Sequence, residues 1–433
     1  MHIKRIEITN IRNIEKLVWE LPDGQDLAGW HVLIGDNGSG KTTILRAIAL
    51  GLIGIGQDRV EGLPLFHDSF LRLSADFGQI GIWHEDNQLE LARTQGLDKD
   101  DFNRDFMRTI RFSRDINDYK IVRTFDFTHQ WFRNNYPFSA AYGPFRRFTG
   151  GDLYYNRLFN ANTRLAAHLS VFGEDVALVE TIKWLQQLKY KQLENNADAR
   201  DLLQGIKKFI NHESFLPYGV RLEDITSENV IFRDANKEFV GIENLSDGYR
   251  SILGMILEVI RQMSIFYPNK SLFNDDFTQV IPPGVILIDE VDAHLHPSWQ
   301  REIGRKLTQL FPHIQFIVTT HSPLVCQLPF TGEGDDKKVK GSIFRLPTPG
   351  TDEVGELLKE GSENWKRLVY GDIIEAYSTG LFGSNIERSP EAQEIIKELA
   401  QLSLLRFKER LTDEQKQQMK SLKDKLPRTP LNL

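Results

Sequence analysis

The sequence predicts an α/β fold built around a phosphate-binding loop, with an inserted helical lobe and a helical C-terminal extension. Three observations predict it. The stretch "HVLIGDNGSGKTTILRAIAL", His31 to Leu50, reads as a short apolar strand, a glycine-rich loop and an amphipathic helix. Two more apolar strands, "GVILIDE" and "IQFIVTTH", end in polar clusters far downstream. The chain has 433 residues, 40% hydrophobic and 26% charged, which suits a globular protein with room for more than one lobe.

The loop from Gly35 to Thr42 has a glycine, four residues, a glycine, a lysine and a threonine. Glycines let successive amides point inward, and the helix that starts near Lys41 adds its positive dipole end, so an anion is the natural guest. A tight strand-to-helix turn alone needs one glycine and no lysine. Asp36, Asn37, Gly38, Ser39, Gly40, Lys41, Thr42 and Thr43 are therefore candidate nucleotide-binding residues. Lys41 is expected to reach the β and γ phosphates, and the Thr42 hydroxyl to ligate a magnesium ion between them.

Taken in order, residues 1 to about 97 read as strands around this loop, ending in a hairpin, "GQIGIWHEDNQLELART". An aromatic, charged stretch of mixed structure runs to Pro137. "FSAAYGPFRRFTG" reads as a buried strand entering a turn at Gly143 and Pro144. Helical periodicity from about Glu174 to Asn211 puts Leu178, Ile182, Leu185 and Leu188 on one face. The expected divisions are a first nucleotide-binding segment at 1–150, a helical lobe at 151–250, a second nucleotide-binding segment at 251–350 and a helical extension at 351–433. In that extension a serine cap with a following proline opens "SPEAQEIIKELAQLSLLRFKERL". Thr412 caps a last helix whose narrow apolar stripe is Met419, Leu422 and Leu426.

Composition narrows the setting. The lone cysteine, Cys326, excludes an internal disulfide and fits a reducing compartment. The opening "MHIKRIEITNIRNI" alternates like a strand and lacks a signal peptide's apolar core, and no run is long and uncharged enough to span a membrane. The expected location is the cytoplasm, away from membranes. A net charge of -7 argues against wholesale coating of nucleic acid, while a local groove for DNA stays open.

"NLSDGYRSILGMILEVIRQM" places Ser246 at a helix N-cap, followed by Asp247 and Gly248; it is a second helix start able to take an anion, or a simple cap. "VILIDEVDAHLHP" ends an apolar strand in Asp289 and Glu290, adjacent carboxylates that need compensation when buried. A magnesium ion held by Thr42 suits Asp289, and Glu290 would then polarise a water beside the γ phosphate. His294 and His296 have no third ligand cluster. His321, at the end of the next apolar strand, either donates to the γ phosphate or is satisfied by backbone.

In this order the motifs resemble the ATP-binding cassette superfamily. "IEITNIRNI", "DEVDAHLHP" and "TTHSP" are similar to its SMC, RecF and OLD branch. The resemblance implies ATP and Mg2+ as ligands, and a head-to-tail dimer with ATP between the phosphate loop of one copy and the signature helix of the other. By matching position, Ser246 and Gly248 would clamp the γ phosphate across the interface, Asp289 would bind magnesium, Glu290 would be the general base and His321 the switch histidine.

The chain departs from the family pattern in two places. No magnesium-sensing glutamine stands at the turn Tyr142, Gly143, Pro144, which Phe145, Arg146 and Arg147 follow, and Gln79 is a poor substitute on an earlier strand. There is also no room for a long coiled coil. The Toprim nuclease of OLD proteins has no match, since "TGEGDDKKV" around Glu333 lacks a preceding apolar strand. "YGPFRR" and "LFGSNIERSPEAQEII" look like segments of the ATPase component of Septu-type anti-phage systems, which implies a separate nuclease subunit as partner. Arg146 and Arg147 are expected at the border of the two lobes, and residues 364–433 as a docking element for that partner or for the chain's own lobes. An ATP-gated repair protein, sensor or scaffold with little turnover is the alternative. A transporter subunit fits less well, because Ser322 and Pro323 follow the histidine where an aspartate is usual.

Overall fold

The computed structural model describes residues 2–53, 70–85, 106–114, 121–127, 138–144, 163–172, 179–212, 215–216, 219–267, 272–332, 337–382, 389–407 and 412–425. The chain opens with β1 (His2–Ile11) and β2 (Ile14–Glu20), antiparallel strands joined through Arg12 and Asn13. Strand β3 (Gly29–Ile34) is buried throughout and leads through the glycine loop into helix α1 (Lys41–Ile53). Next come β4 (Phe77–Glu85), β5 (Phe106–Arg114), β6 (Ile121–Phe127) and β7 (Phe138–Tyr142).

Helices α2 (Val179–Leu193) and α3 (Ala197–Ile210) follow, then the short strands β8 (Arg221–Ile225), β9 (Val230–Arg233) and β10 (Phe239–Gly241). Helix α4 (Asp247–Phe266), strand β11 (Gly284–Ile288), helix α5 (Pro297–Leu310) and strand β12 (Ile314–Thr319) complete the middle of the chain. The small ribbon β13 (Phe330–Thr331) and β14 (Lys338–Val339) precedes β15 (Gly341–Arg345) and β16 (Glu356–Leu357). Four helices follow: α6 (Glu363–Val369), α7 (Ile373–Tyr377), α8 (Pro390–Phe407) and α9 (Asp413–Lys425).

Two sheets organise these elements. The central one has the order β16-β15-β3-β12-β11-β7 and is parallel except at β16; the other, β2-β1-β4-β5-β6, is antiparallel. Period-two alternation divides the central sheet between two cores. Leu33, Ala141, Val285, Leu287 and Ile317 face α1 and the isoleucines of the antiparallel sheet, such as Ile6, Ile80 and Ile82. Val32, Ala140, Ile286, Ile288 and Val318 face the other way, into a core shared with α2, α3, α4 and α5. Helix α1 is apolar nearly all round because it lies between the two sheets, and a Cβ at Gly51 would come within 2.2 Å of Ile82 Cδ1.

Several expectations change here. Both edges of β4 are taken, by β1 and β5, so the close hairpin expected at Gly78–Thr94 is not how β4 pairs; its return segment lies outside the described residues. The stretch of mixed structure before Pro137 supplies β5 and β6. The periodicity expected from Glu174 to Asn211 is two helices, broken where Asn195 takes φ +65 and Asn196 caps α3 by accepting from the Ala199 amide at 2.9 Å. Leu185 and Leu188 are buried, whereas Leu178 lies outside the described residues. The lobe expected to be helical also holds the sheet β10-β9-β8. In the tail, Gly371 and the capping box of Asp372 with Glu375 separate α6 from α7. Ser389 and Thr412 cap α8 and α9 as expected. Met419 and Leu422 lie against Leu402 of α8, so the thin stripe is covered by the chain's own helix; Leu426 and Glu333 fall outside the described residues.

A buried polar network ties α4 to α2. Glu258 accepts from Arg261 Nε and Nη2, each at 2.7 Å, from Gln262 Nε2 at 2.8 Å and from the Thr181 hydroxyl of α2. Removing one partner strands a buried charge. Arg261→Ala is expected to destabilise the protein by about 3–5 kcal/mol in urea unfolding, whereas Glu258→Gln with Arg261→Met recovers most of that loss. A single variant with an unshifted midpoint contradicts this account.

Candidate functional site

Parallel pairing in register brings the C-terminal ends of β3, β12, β11 and β7 to one edge of the central sheet, the position where open α/β sheets hold ligands. The residues that follow these strand ends form the site. After β3, the loop turns through Gly38 at φ +83 and Gly40 at φ +99, values that favour glycine. A Cβ at Gly35 would lie 2.7 Å from Ser39 Oγ, and one at Gly40 would lie 3.0 Å from Ile14 Cγ1. Lys41 folds back over the loop and donates to the carbonyls of Gly35 at 2.6 Å and Asp36 at 3.0 Å. Burial pushes the Lys41 amine below the usual lysine range, opposed by the carboxylates of Asp289, Glu290, Asp36 and Asp292.

Asp289 follows β11 and is buried. Its Oδ2 accepts from the Thr42 hydroxyl at 2.7 Å and its Oδ1 from the Thr319 hydroxyl at the end of β12. The neighbouring cations Lys41 and Arg46 supply the compensation that a buried carboxylate needs. Glu290 sits at φ +45, a conformation uncommon for a side chain with a Cβ, and its amide donates to the same Thr319 hydroxyl at 2.8 Å. His321 has an exposed side chain, while its backbone amide donates to Asp292 Oδ1 at 3.3 Å.

The structure thus gathers Lys41, Thr42, Asp289 and Glu290 directly, and His321 through Asp292. Among the described residues, no hydrogen bond joins Ser246 or Gly248 to residues 35–43, and no atom of that loop lies within 4 Å of a Cβ built at Gly248. Ser246 is the N-cap of α4, yet its hydroxyl caps nothing, and a Cβ at Gly248 would lie 3.2 Å from the His294 carbonyl oxygen. His296 caps α5, and no group of three or more metal-ligating residues occurs among the described residues. Gly143 approaches Ser170 closely and donates its amide to Ser170 Oγ at 3.0 Å. Gln79 pairs with Thr9 and Arg111 in the antiparallel sheet, and Arg146 and Arg147 lie outside the described residues.

Other parts of the site were not anticipated. Asn13, on the β1–β2 turn, donates to the Gly38 carbonyl and accepts from the Thr43 hydroxyl at 3.3 Å, so it clamps both ends of the glycine loop and occupies Thr43. Arg46 donates to the Val171 carbonyl at 2.8 Å, which ties α1 to the segment beside Gly143. The paired threonines of "TTHSP" were the only sequence signal for the β12 contacts.

Two features test the fit of an anion with magnesium. Ser39 Oγ is buried without a hydrogen-bond partner inside the loop, and a hydroxyl and a carboxylate stand side by side at Thr42 and Asp289. Hard oxygen donors of this kind suit magnesium. Among the described residues, no helix is long and apolar enough to cross a membrane.

Comparison with known proteins gives four findings. Residues 31–327 match the family described as "AAA domain, putative AbiEii toxin, Type IV TA system". The Septu protein PtuA of Bacillus mycoides (strain KBAB4) is 27% identical over 435 residues, covering 98% of this chain and 50% of that one; this chain therefore spans about half the length of that relative. The Retron Vc95 probable ATPase of Vibrio cholerae serotype O1 biovar El Tor is 25% identical over 75% of this chain and 72% of its own. Among solved structures, the Smc head bound to the C-winged helix domain of ScpA covers 83% of this chain and 97% of that one, at 14% identity and a TM-score of 0.44.

The left-handed glycine at the loop's end yields a stability prediction. Gly40→Ala places a methyl group against Ile14 in a strained backbone conformation, and about 1–3 kcal/mol should be lost in urea denaturation. A midpoint equal to that of the parent would show that the loop relaxes without cost.

Proposed function

We propose that this chain, which belongs to the AAA-domain family matched across residues 31–327, binds ATP with magnesium and hydrolyses it. The carrying observation is the 2.7 Å contact of the Thr42 hydroxyl with buried Asp289, beside a lysine folded over a glycine-rich loop. Loop amides and Lys41 would hold the phosphates, with Lys41 exchanging its two carbonyl partners for phosphate oxygens. Thr42 and Asp289 would hold magnesium, which when bound neutralises charge that builds up on the phosphates. Glu290 would take the proton of the attacking water, and His321 would donate to the γ phosphate. Such proton transfer is worth about 100-fold to 10,000-fold in rate.

Among the described residues, no hydrogen bond joins Ser246 or Gly248 to their own phosphate loop. The reading therefore gives them to a second copy, in a head-to-tail dimer or higher oligomer with ATP between the copies. The similarity to Septu and retron proteins supports a role in anti-phage defence; the reading adds a separate nuclease subunit as partner and DNA as a further ligand. The cytoplasm is the matching location. Residues 364–433, in which α8 and α9 share a small core of their own, are the segment proposed for docking that partner.

Two experiments test this. At ATP one hundred times its dissociation constant, with magnesium, the parent and Glu290→Gln should gain about 2.7 kcal/mol of stability in thermal unfolding, and Lys41→Ala nothing. Single-turnover hydrolysis by Glu290→Gln should meanwhile fall about 100-fold or more. A parent that ATP does not stabilise would refute the nucleotide reading, and a Glu290→Gln protein with parental turnover would remove Glu290 as the base.

Mixing Lys41→Ala with Ser246→Arg protein tests the shared site. Each mixed dimer would contain one site with both halves intact, so ATPase activity should rise above that of either protein alone. Background activity at every mixing ratio counts against the head-to-tail arrangement.

A further inference from the structure

The strands β11 and β12 end in two turns, one bearing Glu290 and the other His321, and two consecutive threonines join them. Thr319 and Thr320 are both fully buried. Thr319 serves the first turn: its hydroxyl accepts from the Glu290 amide and donates to Asp289, and its carbonyl accepts from the Val291 amide at 3.0 Å. Thr320 reaches across to a different residue. Its hydroxyl donates to Asp292 Oδ1 at 2.6 Å and accepts from the Ser322 amide at 2.9 Å. The same Asp292 oxygen accepts the His321 amide at 3.3 Å.

From this geometry we infer that Asp292 is a positioning residue that sets the His321 turn against the Glu290 turn; the inference rests on the ATP-hydrolysis reading above. Among the described residues, the backbone amide is the part of His321 that hydrogen bonding holds, so the place of its ring follows from that anchor. The anchor is itself fixed. The Asp292 carbonyl accepts from the Leu295 amide at 3.0 Å and from Gln300 Nε2 at 3.4 Å, which ties the turn to the start of α5. One carboxylate oxygen therefore transmits the position of α5 and of the Glu290 turn to the histidine. Its partners are donors, so an amide oxygen of the same reach can do the same work, and a methyl group cannot.

The test uses the full chain and the variants Asp292→Ala, Asp292→Asn and Thr320→Val. It reads steady-state ATP hydrolysis with magnesium, the dissociation constant for ATP, and amide hydrogen exchange at His321 and Ser322 without nucleotide. Asp292→Ala is expected to lower kcat about 10-fold to 100-fold, the usual effect of losing a residue that orients a site group, while the dissociation constant stays within about threefold. Asp292→Asn should remain within about threefold of the parent in both. Exchange at the His321 amide should accelerate about tenfold in Asp292→Ala and not in Asp292→Asn. Thr320→Val, which keeps the side-chain shape without the donor, should also lower kcat, and it carries the test if Asp292→Ala does not fold. Parental kcat and exchange in Asp292→Ala would overturn the inference, as would an Asn variant as impaired as the Ala variant or an equal loss of affinity and kcat. A parent without ATP turnover refutes the hydrolysis reading instead. The exchange data then decide alone, with unaltered exchange in Asp292→Ala overturning the brace.

Discussion

The burial of the Asp289 carboxylate is the constraint around which the site is arranged. A lone carboxylate taken from water is costly unless donors and cations meet it. Here Thr42 arrives from α1 and Thr319 from β12, with Lys41 and Arg46 as the nearby cations. Those partners come from two stretches of sequence, both remote from Asp289 itself. Satisfying one charge therefore fixes the glycine loop, the end of β11 and the end of β12 relative to one another. The unusual backbone at Glu290 depends on the same contacts, because the Thr319 hydroxyl that donates to Asp289 also accepts the Glu290 amide. Strain of this kind persists where the surroundings over-determine it.

The division of the central sheet into two cores gives its faces different mechanical roles. One face grips α1 against a second sheet, leaving the phosphate-loop helix without a solvent side along most of its length. The other face carries α2 to α5 and the Glu258 network. Loop and strand ends thus stand on a closely packed base, while α4, which carries Ser246 and Gly248 at its start, belongs to the other core.

The sequence makes the strand, loop and helix at His31–Leu50 legible because glycines, lysine and flanking apolar periodicity all act locally. The strands leading to Asp289 and His321 are legible for the same reason: five or six mostly apolar residues and an abrupt polar stop describe a buried parallel strand. Strands β8 to β10 are not, since they are three to five residues long and carry few buried side chains. Asn13 clamping Gly38 and Thr320 reaching Asp292 are contacts between segments far apart in sequence, made by residue types that usually face solvent. Only the assembled sheet discloses them. The same holds for α9, whose stripe could be seen in the sequence while its cover, α8, could not be singled out from other surfaces.

Strand order also has a consequence for the time at which the protein becomes competent. The antiparallel sheet takes all its strands from residues 2–127, so its pairing partners leave the ribosome together. Strand β3 is made equally early, yet its neighbours on both sides, β12 and β15, end at Thr319 and Arg345. At about 5–20 residues per second, β3 therefore waits roughly 15–60 s for the second of them. During that interval α1 has one of its two apolar walls and lacks the other, and Asp289 has not yet been synthesised. The nascent chain thus exposes an oily helix for most of its synthesis, and such surface is open to aggregation or chaperone capture until the last third of the protein closes over it.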